Sequence, residues 1–182
     1  AGRFLEDILQ FVERWLPRLA RGELIGAIAM TEPGAGSDLQ GIRTRAVRDG
    51  DHYVVNGSKI FITNGGSATL LMLVVRTDPA DRKRGLSILM VETEGLAGYR
   101  VGRVLDKMGM AAQDTAELFF EDVRVPADMV VLKEGGFKKQ IAGFNVERIG
   151  NTARSLALGR YAYEKARAWA TQRKQFGRPL CE

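Results

Sequence analysis

The segment RTRAVRDGDHYVVNGSKIFITNGG, residues 43–66, decides the fold class. Asp49-Gly50, Asn56-Gly57 and Asn64-Gly65 are turn dipeptides that tolerate a positive φ, and seven or eight residues separate each from the next. β-Branched and aromatic residues fill the intervals between them. The segment therefore predicts a meander of short antiparallel strands.

Strand-like composition continues downstream of this segment. Further strands are predicted at residues 70–77, 86–93, 99–105 and 116–126. So many short strands in one stretch of chain favour an antiparallel β-barrel or sandwich.

Helical patterns flank the predicted strands. Apolar spacing predicts a helix over residues 4–21, with Pro17 ending or kinking it, and a long helix over residues 137–176. The long helix needs neighbours to bury its apolar positions, so we expect other helices from a missing part of the polypeptide or from another subunit.

The expected fold class is α+β, with three regions. These are the end of an N-terminal helical domain at 1–21, a middle β domain at 22–132 and the start of a C-terminal helical bundle at 133–182.

Composition excludes several classes of protein. No apolar run approaches the ~20 residues that span a membrane. Cys181 is the only cysteine, so no internal disulfide forms. His52 is the only histidine, which argues against a histidine-rich metal site or a Ser-His-Asp triad, and we predict no metal.

The formal net charge of +5 raises the question of nucleic acid binding. The cations are scattered, and the tightest cluster, DRKR at 81–84, is more typical of a solvated loop. We expect no nucleic acid partner, although a non-catalytic nucleotide- or nucleic-acid-binding module stays an alternative.

Two features suggest a ligand site. The loop MTEPGAGSDLQGI (30–42) is rich in glycine but matches neither a Walker A loop nor GxGxxG, since residue 39 is Leu. Composition supports a structural turn as well as a binding loop. Phe61 and Thr63 share one strand face and suit a flat heteroaromatic ring, or else they are a core Phe and a strand-forming Thr.

Four motifs together resemble the acyl-CoA dehydrogenase family: the loop at 30–42, YVVNGSKIFITNGG (53–66), LDKMGMAAQDTAELFFEDVRVP (105–126) and ATQRKQFGRPL (170–180). The resemblance implies bound FAD, oxidation of an acyl-CoA thioester to 2-enoyl-CoA and electron transfer to an electron-transferring flavoprotein. It also implies a homodimer or homotetramer in the bacterial cytoplasm or the mitochondrial matrix. The chain lacks segments of such proteins at both ends, so we expect a truncated fragment.

The resemblance assigns cofactor and substrate contacts to particular residues. The residues expected along FAD are Ile28, Met30, Thr31, Gly36, Ser37, Phe61, Ile62 and Thr63. The residues expected to reach the FAD of a neighbouring subunit are Arg173, Gln175 and Phe176. Substrate contacts are Ser37, Asn145 and Arg148. Ile28 departs from the family pattern, which often has Tyr or Phe there.

Glu147 is the candidate catalytic base. Glu147-Arg148 match the "ER" of isovaleryl- and long-chain-type members, which remove the substrate's α-proton with this Glu while a β-hydride moves to the flavin. Most members place the base beyond the segment that matches ATQRKQFGRPL, and a solvated helix carboxylate is the plain alternative. An acyl-CoA oxidase or a flavin monooxygenase on the same scaffold is the alternative reaction.

Overall fold

A computed structural model describes residues 2–81, 84–132 and 137–182, without the side chains of residues 2–8, 10 and 137–140. The centre of the basic cluster at 81–84 and the first four residues of the region predicted at 133–182 lie outside the described residues.

The described residues form two α-helices and ten β-strands. The helices are α1 (Gly2–Ala20) and α2 (Phe137–Gln172). The strands are β1 (Gly26–Ala29), β2 (Arg45–Asp49), β3 (His52–Thr63), β4 (Leu70–Arg76), β5 (Leu86–Glu92), β6 (Tyr99–Val104), β7 (Thr115–Pro126), β8 (Val130–Leu132), β9 (Lys174–Gln175) and β10 (Arg178–Pro179).

The first eight strands form one sheet in the order β6-β7-β3-β2-β4-β5-β8, with β1 paired to β4. Its two halves share a single buried core, because residues from β3 and β7 pack in one cluster with residues from β4 and β5. Val55, Leu71, Leu73 and Leu89 of this core are fully buried. The predicted α+β class is confirmed, and the sheet is an open, sandwich-like layer that does not close into a barrel.

The sheet is not antiparallel throughout, since β2 also meets β4 in parallel at Arg45↔Arg76 and β1, for which the sequence predicted no pairing, is the longer exception. This strand pairs in parallel with β4, in the register Gly26↔Leu70 to Ala29↔Leu73. A parallel neighbour requires a long connection, and the whole β2–β3 hairpin lies within it. The pattern of turn dipeptides could not reveal that connection.

Asn56-Gly57 is not a turn, contrary to its sequence signature. β3 runs unbroken from His52 to Thr63, and its register with β7 shifts between Val55 and Gly57. The dipeptide therefore forms a bulge, a use of Gly that isolated dipeptide statistics do not separate from a turn. Asp49-Gly50 does form a tight turn, because Asp49 pairs with His52 across the β2–β3 hairpin.

Close backbone packing explains the glycine at this bulge. Gly57 has a φ of +151°, and a Cβ there would lie 2.5 Å from Thr44 Oγ1 and 2.7 Å from Thr44 Cα. The Asn56 side chain exchanges two hydrogen bonds with Asp122 of β7: Asn56 Nδ2 donates to Asp122 Oδ1 and the Asp122 backbone N–H donates to Asn56 Oδ1. The bulge is thus packed against Thr44, the residue before β2, and hydrogen-bonded to β7.

Helix α1 packs on the sheet through Trp15, which is 2% exposed in a cluster with Leu24 and Leu70. The Trp15 indole N–H also donates to Glu92 at the end of β5, over 2.8 Å. α1 continues to Ala20, so Pro17 does not end the helix, which was one of the two predicted effects of this proline.

The chain divides into two compact units, Ala1–Lys138 and Lys139–Glu182. Helix α2 ends at Gln172, four residues before the predicted end, because residues 174–179 form the short β9–β10 hairpin. Large apolar side chains of α2 are exposed, among them Leu156, Tyr161 and Trp169. In the described part of the chain, no helix is both long and apolar enough to cross a membrane.

We predict that Gly57→Ala lowers the free energy of unfolding by about 2–3 kcal/mol, because the added methyl group collides with the Thr44 backbone. Urea unfolding followed by circular dichroism measures this change. Gly50→Ala is the matched control: Gly50 has a φ of +61° and no atom within 4 Å of its built Cβ. Its cost should be only about 1 kcal/mol, and equal losses for both variants would contradict the steric explanation.

Candidate functional site

The site begins where β1 leaves the core. Ala27 and Ala29 are buried, whereas Ile28 is 40% exposed on the opposite face of the strand. Met30 and Thr31, which follow, are half-buried. The alternation directs one face of β1 into the core and leaves the other exposed.

The loop after β1 turns back on itself at Pro33-Gly34. The backbone N–H of Glu32 donates to the Ala35 carbonyl and that of Ala35 to the Glu32 carbonyl, over 3.0 and 3.1 Å. Beyond this turn, we find no acceptor in the described part of the chain for the backbone N–H groups of Gly36 and Ser37. Both residues are exposed, so these two donors are available to a ligand.

Phe61 stands out on β3. It lies within the register shift between Lys59 and Ile62, has a φ of +60° and is 63% exposed. A bulky residue with a left-handed backbone is an outlier, and an exposed aromatic ring adds no core packing to offset its cost. The bulge holds the Phe61 ring outside the core.

The neighbours of Phe61 alternate as expected for a sheet face. Ile62 is 2% exposed within the core, which leaves only its backbone for a ligand on the outer face. Thr63 is exposed, as Phe61 is. The aromatic ring and the hydroxyl group that the sequence paired both lie outside the core.

Hydrogen bonds bring the loop and the end of β3 together. The Ile60 backbone N–H donates to the Thr31 carbonyl over 2.9 Å, and the Asn64 amide donates to the Gly26 carbonyl over 3.3 Å. Met30 and Thr31 therefore lie beside the bulge that carries Phe61.

A buried ion pair lies beneath this junction, and sequence reasoning missed it. The Lys59 side chain is fully buried, and its Nζ donates to Glu32 Oε1 over 2.9 Å and to the Met30 carbonyl over 3.0 Å. The Glu32 carboxylate also accepts from the backbone N–H groups of Arg43 and Thr44, over 2.7 and 2.9 Å. A lysine directly before the apolar run Ile60, Phe61 and Ile62 was the available signal.

Burial and pairing set the ionisation of both groups. Burial lowers the pKa of Lys59 from 10.5 to about 8, against the opposing pull of Glu32. Burial acts to raise the pKa of Glu32, but Lys59 and the hydrogen-bond donors at Thr44 and Arg43 outweigh it, and the pKa of Glu32 lies below its ordinary value. Both groups are therefore charged at neutral pH.

In the second unit, the predicted substrate and catalytic residues lie together on α2. Arg148 Nη1 donates to Asn145 Oδ1 over 2.9 Å, one helical turn away. Glu147 is exposed on the same helix. Asn145 and Arg148 thus contact each other.

The other predicted cofactor contacts lie at and just after the end of α2. Phe176 and Gly177 form the turn of the β9–β10 hairpin, with φ values of +52° and +81°. Two central residues with positive φ are typical of a type I′ turn. The Phe176 ring is fully exposed, so it is a second aromatic residue presented outward from a left-handed backbone.

We predict that the Lys59 ammonium titrates with a midpoint near pH 8, which NMR of the lysine side chains can measure. Glu32→Gln should lower this midpoint further, because the carboxylate favours the charged lysine. The folded pKa lies below the ordinary value, so the unfolded chain binds more protons between pH 8 and 10.5. Lys59 therefore makes the free energy of unfolding increase with pH across that interval. A midpoint near 10.5 in the unmutated protein would contradict the burial argument.

Family models match both units of the chain. The model described as "Acyl-CoA dehydrogenase, middle domain" matches residues 27–123, more than half of the 182 residues. The model described as "Acyl-CoA dehydrogenase, C-terminal domain" matches residues 134–182.

Curated relatives that are named for long and for short acyl chains are about equally similar to this polypeptide. The mouse (Mus musculus) mitochondrial long-chain specific acyl-CoA dehydrogenase is 46% identical over 93% of this chain and 40% of its own length. The short-chain specific acyl-CoA dehydrogenase of Clostridium acetobutylicum is 44% identical over 92% of this chain and 44% of its own length. The chain thus spans less than half the length of these relatives.

Solved structures agree with this fold. The acyl-CoA dehydrogenase of Geobacillus kaustophilus superposes with a TM-score of 0.89 at 45% identity, over 94% of this chain and 46% of that chain. A Mycobacterium smegmatis glutaryl-CoA dehydrogenase in complex with FADH2 gives a TM-score of 0.83 at 34% identity, over 92% of this chain and 42% of that chain. From its middle-domain match, its C-terminal match and this shared fold, the chain belongs to the acyl-CoA dehydrogenase family.

Proposed function

We propose that the protein containing this chain uses FAD to oxidise an acyl-CoA thioester to the 2-enoyl-CoA. The observation that carries the proposal is the exposed Phe61 ring, held by a left-handed bulge beside the loop of residues 30–42. Family membership and the relative determined with FADH2 support the same assignment.

The side chains around Phe61 suit an isoalloxazine ring. Phe61 offers an aromatic plane, Thr63 a hydroxyl group and Ile28 an apolar surface. No protein atom lies within 4 Å of the position that a Cβ would take at Gly36, so a ligand can approach the loop closely there. The free backbone N–H groups of Gly36 and Ser37 supply donors for a pyrophosphate or a carbonyl oxygen without a local cation.

These groups suggest a role for each part of the site. When bound, the flavin supplies the acceptor for the substrate's β-hydride. The residues at the end of β1, with Phe61 and Thr63, bind and orient its ring. Ser37 lies at the loop position assigned to both cofactor and substrate, and its hydroxyl group can donate to either.

Glu147 is the proposed base for the substrate's α-proton. A carboxylate accepts that proton, and a partner for the thioester oxygen stabilises the charge that develops there. The neighbouring Arg148 donates through Nη1 to Asn145. We assign Asn145 and Arg148 to substrate binding.

The assembly and the electron acceptor are part of the same proposal. Arg173, Gln175 and Phe176 would contact the FAD of a neighbouring subunit: an arginine suits a pyrophosphate and the exposed Phe176 ring suits adenine. This assignment requires a homodimer or homotetramer. Electrons would pass to an electron-transferring flavoprotein, in the bacterial cytoplasm or the mitochondrial matrix.

We predict that acyl-CoA bleaches the flavin absorbance of the FAD-loaded protein under anaerobic conditions, and that Glu147→Gln slows this bleaching at least about 100-fold. The variant should still bind FAD. Stopped-flow titration with acyl-CoAs of several lengths measures both the rate and the substrate preference. Glu164→Gln is the matched control, because Glu164 is an exposed carboxylate of the same helix paired with Arg160 over 2.8 Å.

The outcomes of this titration separate the alternatives. Undiminished bleaching in Glu147→Gln would move the base to another residue. Fast reoxidation of the reduced flavin by oxygen would favour an oxidase or monooxygenase. A colourless protein that binds nucleic acid in a salt-sensitive manner would overturn the proposed function.

Phe61→Gly should separate cofactor binding from stability. Glycine adopts a positive φ freely and the Phe61 ring is exposed, so the unfolding free energy of the FAD-free protein should change by less than about 1 kcal/mol. FAD affinity should fall about tenfold with the loss of the aromatic contact. Fluorescence titration measures affinity, and Val47→Ala, at a residue of β2 that is 58% exposed, is the control. Unchanged affinity in Phe61→Gly would remove Phe61 from the site.

A further inference from the structure

The ion pair of Lys59 and Glu32 has no solvent-facing role. Lys59 is fully buried and the Glu32 side chain is 7% exposed. The ammonium donates to two oxygens, and both carboxylate oxygens accept hydrogen bonds. Neither group retains the exposure needed to contact a ligand, so any contribution to the site is indirect.

Stability alone is a weak reason to retain such a pair. Removing two charges from water costs about as much as their attraction returns, and apolar replacements of both partners are often as stable. A loss of one partner is different, since it leaves the other charge buried and uncompensated. Because the net stability from such a pair is small, what its hydrogen bonds connect is the more informative property.

The hydrogen bonds of the pair join four segments. Lys59 belongs to β3, and the Met30 carbonyl lies at the start of the loop. Glu32 lies inside the loop, and the backbone N–H groups of Arg43 and Thr44 lie at its end. One buried centre thus fixes both ends of the loop to the strand that carries Phe61.

The loop beyond Glu32 has two other kinds of anchor, one polar and one apolar. The Arg76 guanidinium donates to the carbonyls of Gln40 and Ile42, over 2.6 and 3.0 Å. Ala35 and Ile42 are buried, but the hydrophobic effect depends on area and not on orientation. Gly34 and Gly36 have no atom within 4 Å of their built Cβ positions, so they pack against little. Charge-assisted hydrogen bonds are directional. Those of Lys59 and Glu32 lie next to the turn that leads into Gly36, whereas those of Arg76 reach residues 40 and 42 at the other end of the loop.

We propose that the buried Lys59–Glu32 pair is a positioning device, which holds the loop amides of Gly36 and Ser37 in register with the Phe61 ring so that both contact the same ligand. Lys59 and Glu32 are positioning residues, since neither touches the ligand. This inference rests on the proposed function, in which that ligand is FAD.

The test compares FAD affinity with stability in four variants. Lys59→Met and Glu32→Gln each remove one partner, and the double variant removes both. Leu89→Ala is the control, because Leu89 is a fully buried core residue of β5 outside the proposed site and its truncation also destabilises the fold. For each folded protein we would measure the FAD dissociation constant and the visible circular dichroism of the bound flavin.

We expect the single variants to bind FAD at least tenfold more weakly and with an altered flavin dichroism. The double variant should recover unfolding stability but not affinity, because the bond from Lys59 to the Met30 carbonyl is still absent. Leu89→Ala should lose stability and keep both affinity and dichroism. Joint recovery of stability and affinity in the double variant would overturn the inference, as would unchanged affinity in Lys59→Met.

Failure of the inference can be told from failure of the proposed function. If the unmutated protein does not bind FAD, the proposed function fails whatever the variants do. If it binds FAD and the variants bind equally well, only the positioning role fails.

Discussion

A buried ammonium must be paired, and this requirement organises the first unit of the protein. Lys59 has no route to solvent, so carbonyl and carboxylate oxygens have to come to it. Those oxygens belong to Met30 and Glu32, and the carboxylate in turn draws in the backbone of residues 43–44. One buried ion pair therefore ties the loop after β1 to β3 and to residues 43–44. An apolar residue at position 59 would remove the hydrogen bonds that join β3 to Met30 and Glu32.

The second organising constraint is the placement of aromatic rings on left-handed backbone. Phe61 and Phe176 both have φ values near +55° and both rings are largely or fully exposed. Neither gains burial from the conformation, so neighbouring structure must impose it. At Phe61 the imposing element is the bulge between Lys59 and Ile62, and at Phe176 it is the tight turn between β9 and β10. Each unit thus exposes a phenylalanine ring, the first at a bulge and the second at a tight turn.

Sequence patterns predicted the fold class, most strand positions and the pairing of Phe61 with Thr63, because alternation and turn dipeptides act locally. They misplaced the Asn56-Gly57 turn and did not predict the parallel pairing of β1, because a bulge and a parallel pairing depend on residues distant in sequence. They also missed the Lys59–Glu32 pair. Strict alternation would put Lys59 and Phe61 on one face, and only the register shift sends one into the core and the other out of it. The orientation of α2 side chains toward a ligand depends on neighbours, which no pattern within a single helix specifies.

The parallel pairing of β1 with β4 has a consequence for the order of folding. Gly26 meets Leu70 across the ladder, so pairing β1 with β4 closes a loop that contains the whole hairpin of β2 and β3. Closing a long loop carries an entropic cost, whereas hairpins form early from local contacts. We therefore expect β1, which leads into the glycine-rich loop, to pair with β4 after the hairpins have formed. The nascent chain would then complete its local hairpins first and add the strand before the glycine-rich loop last.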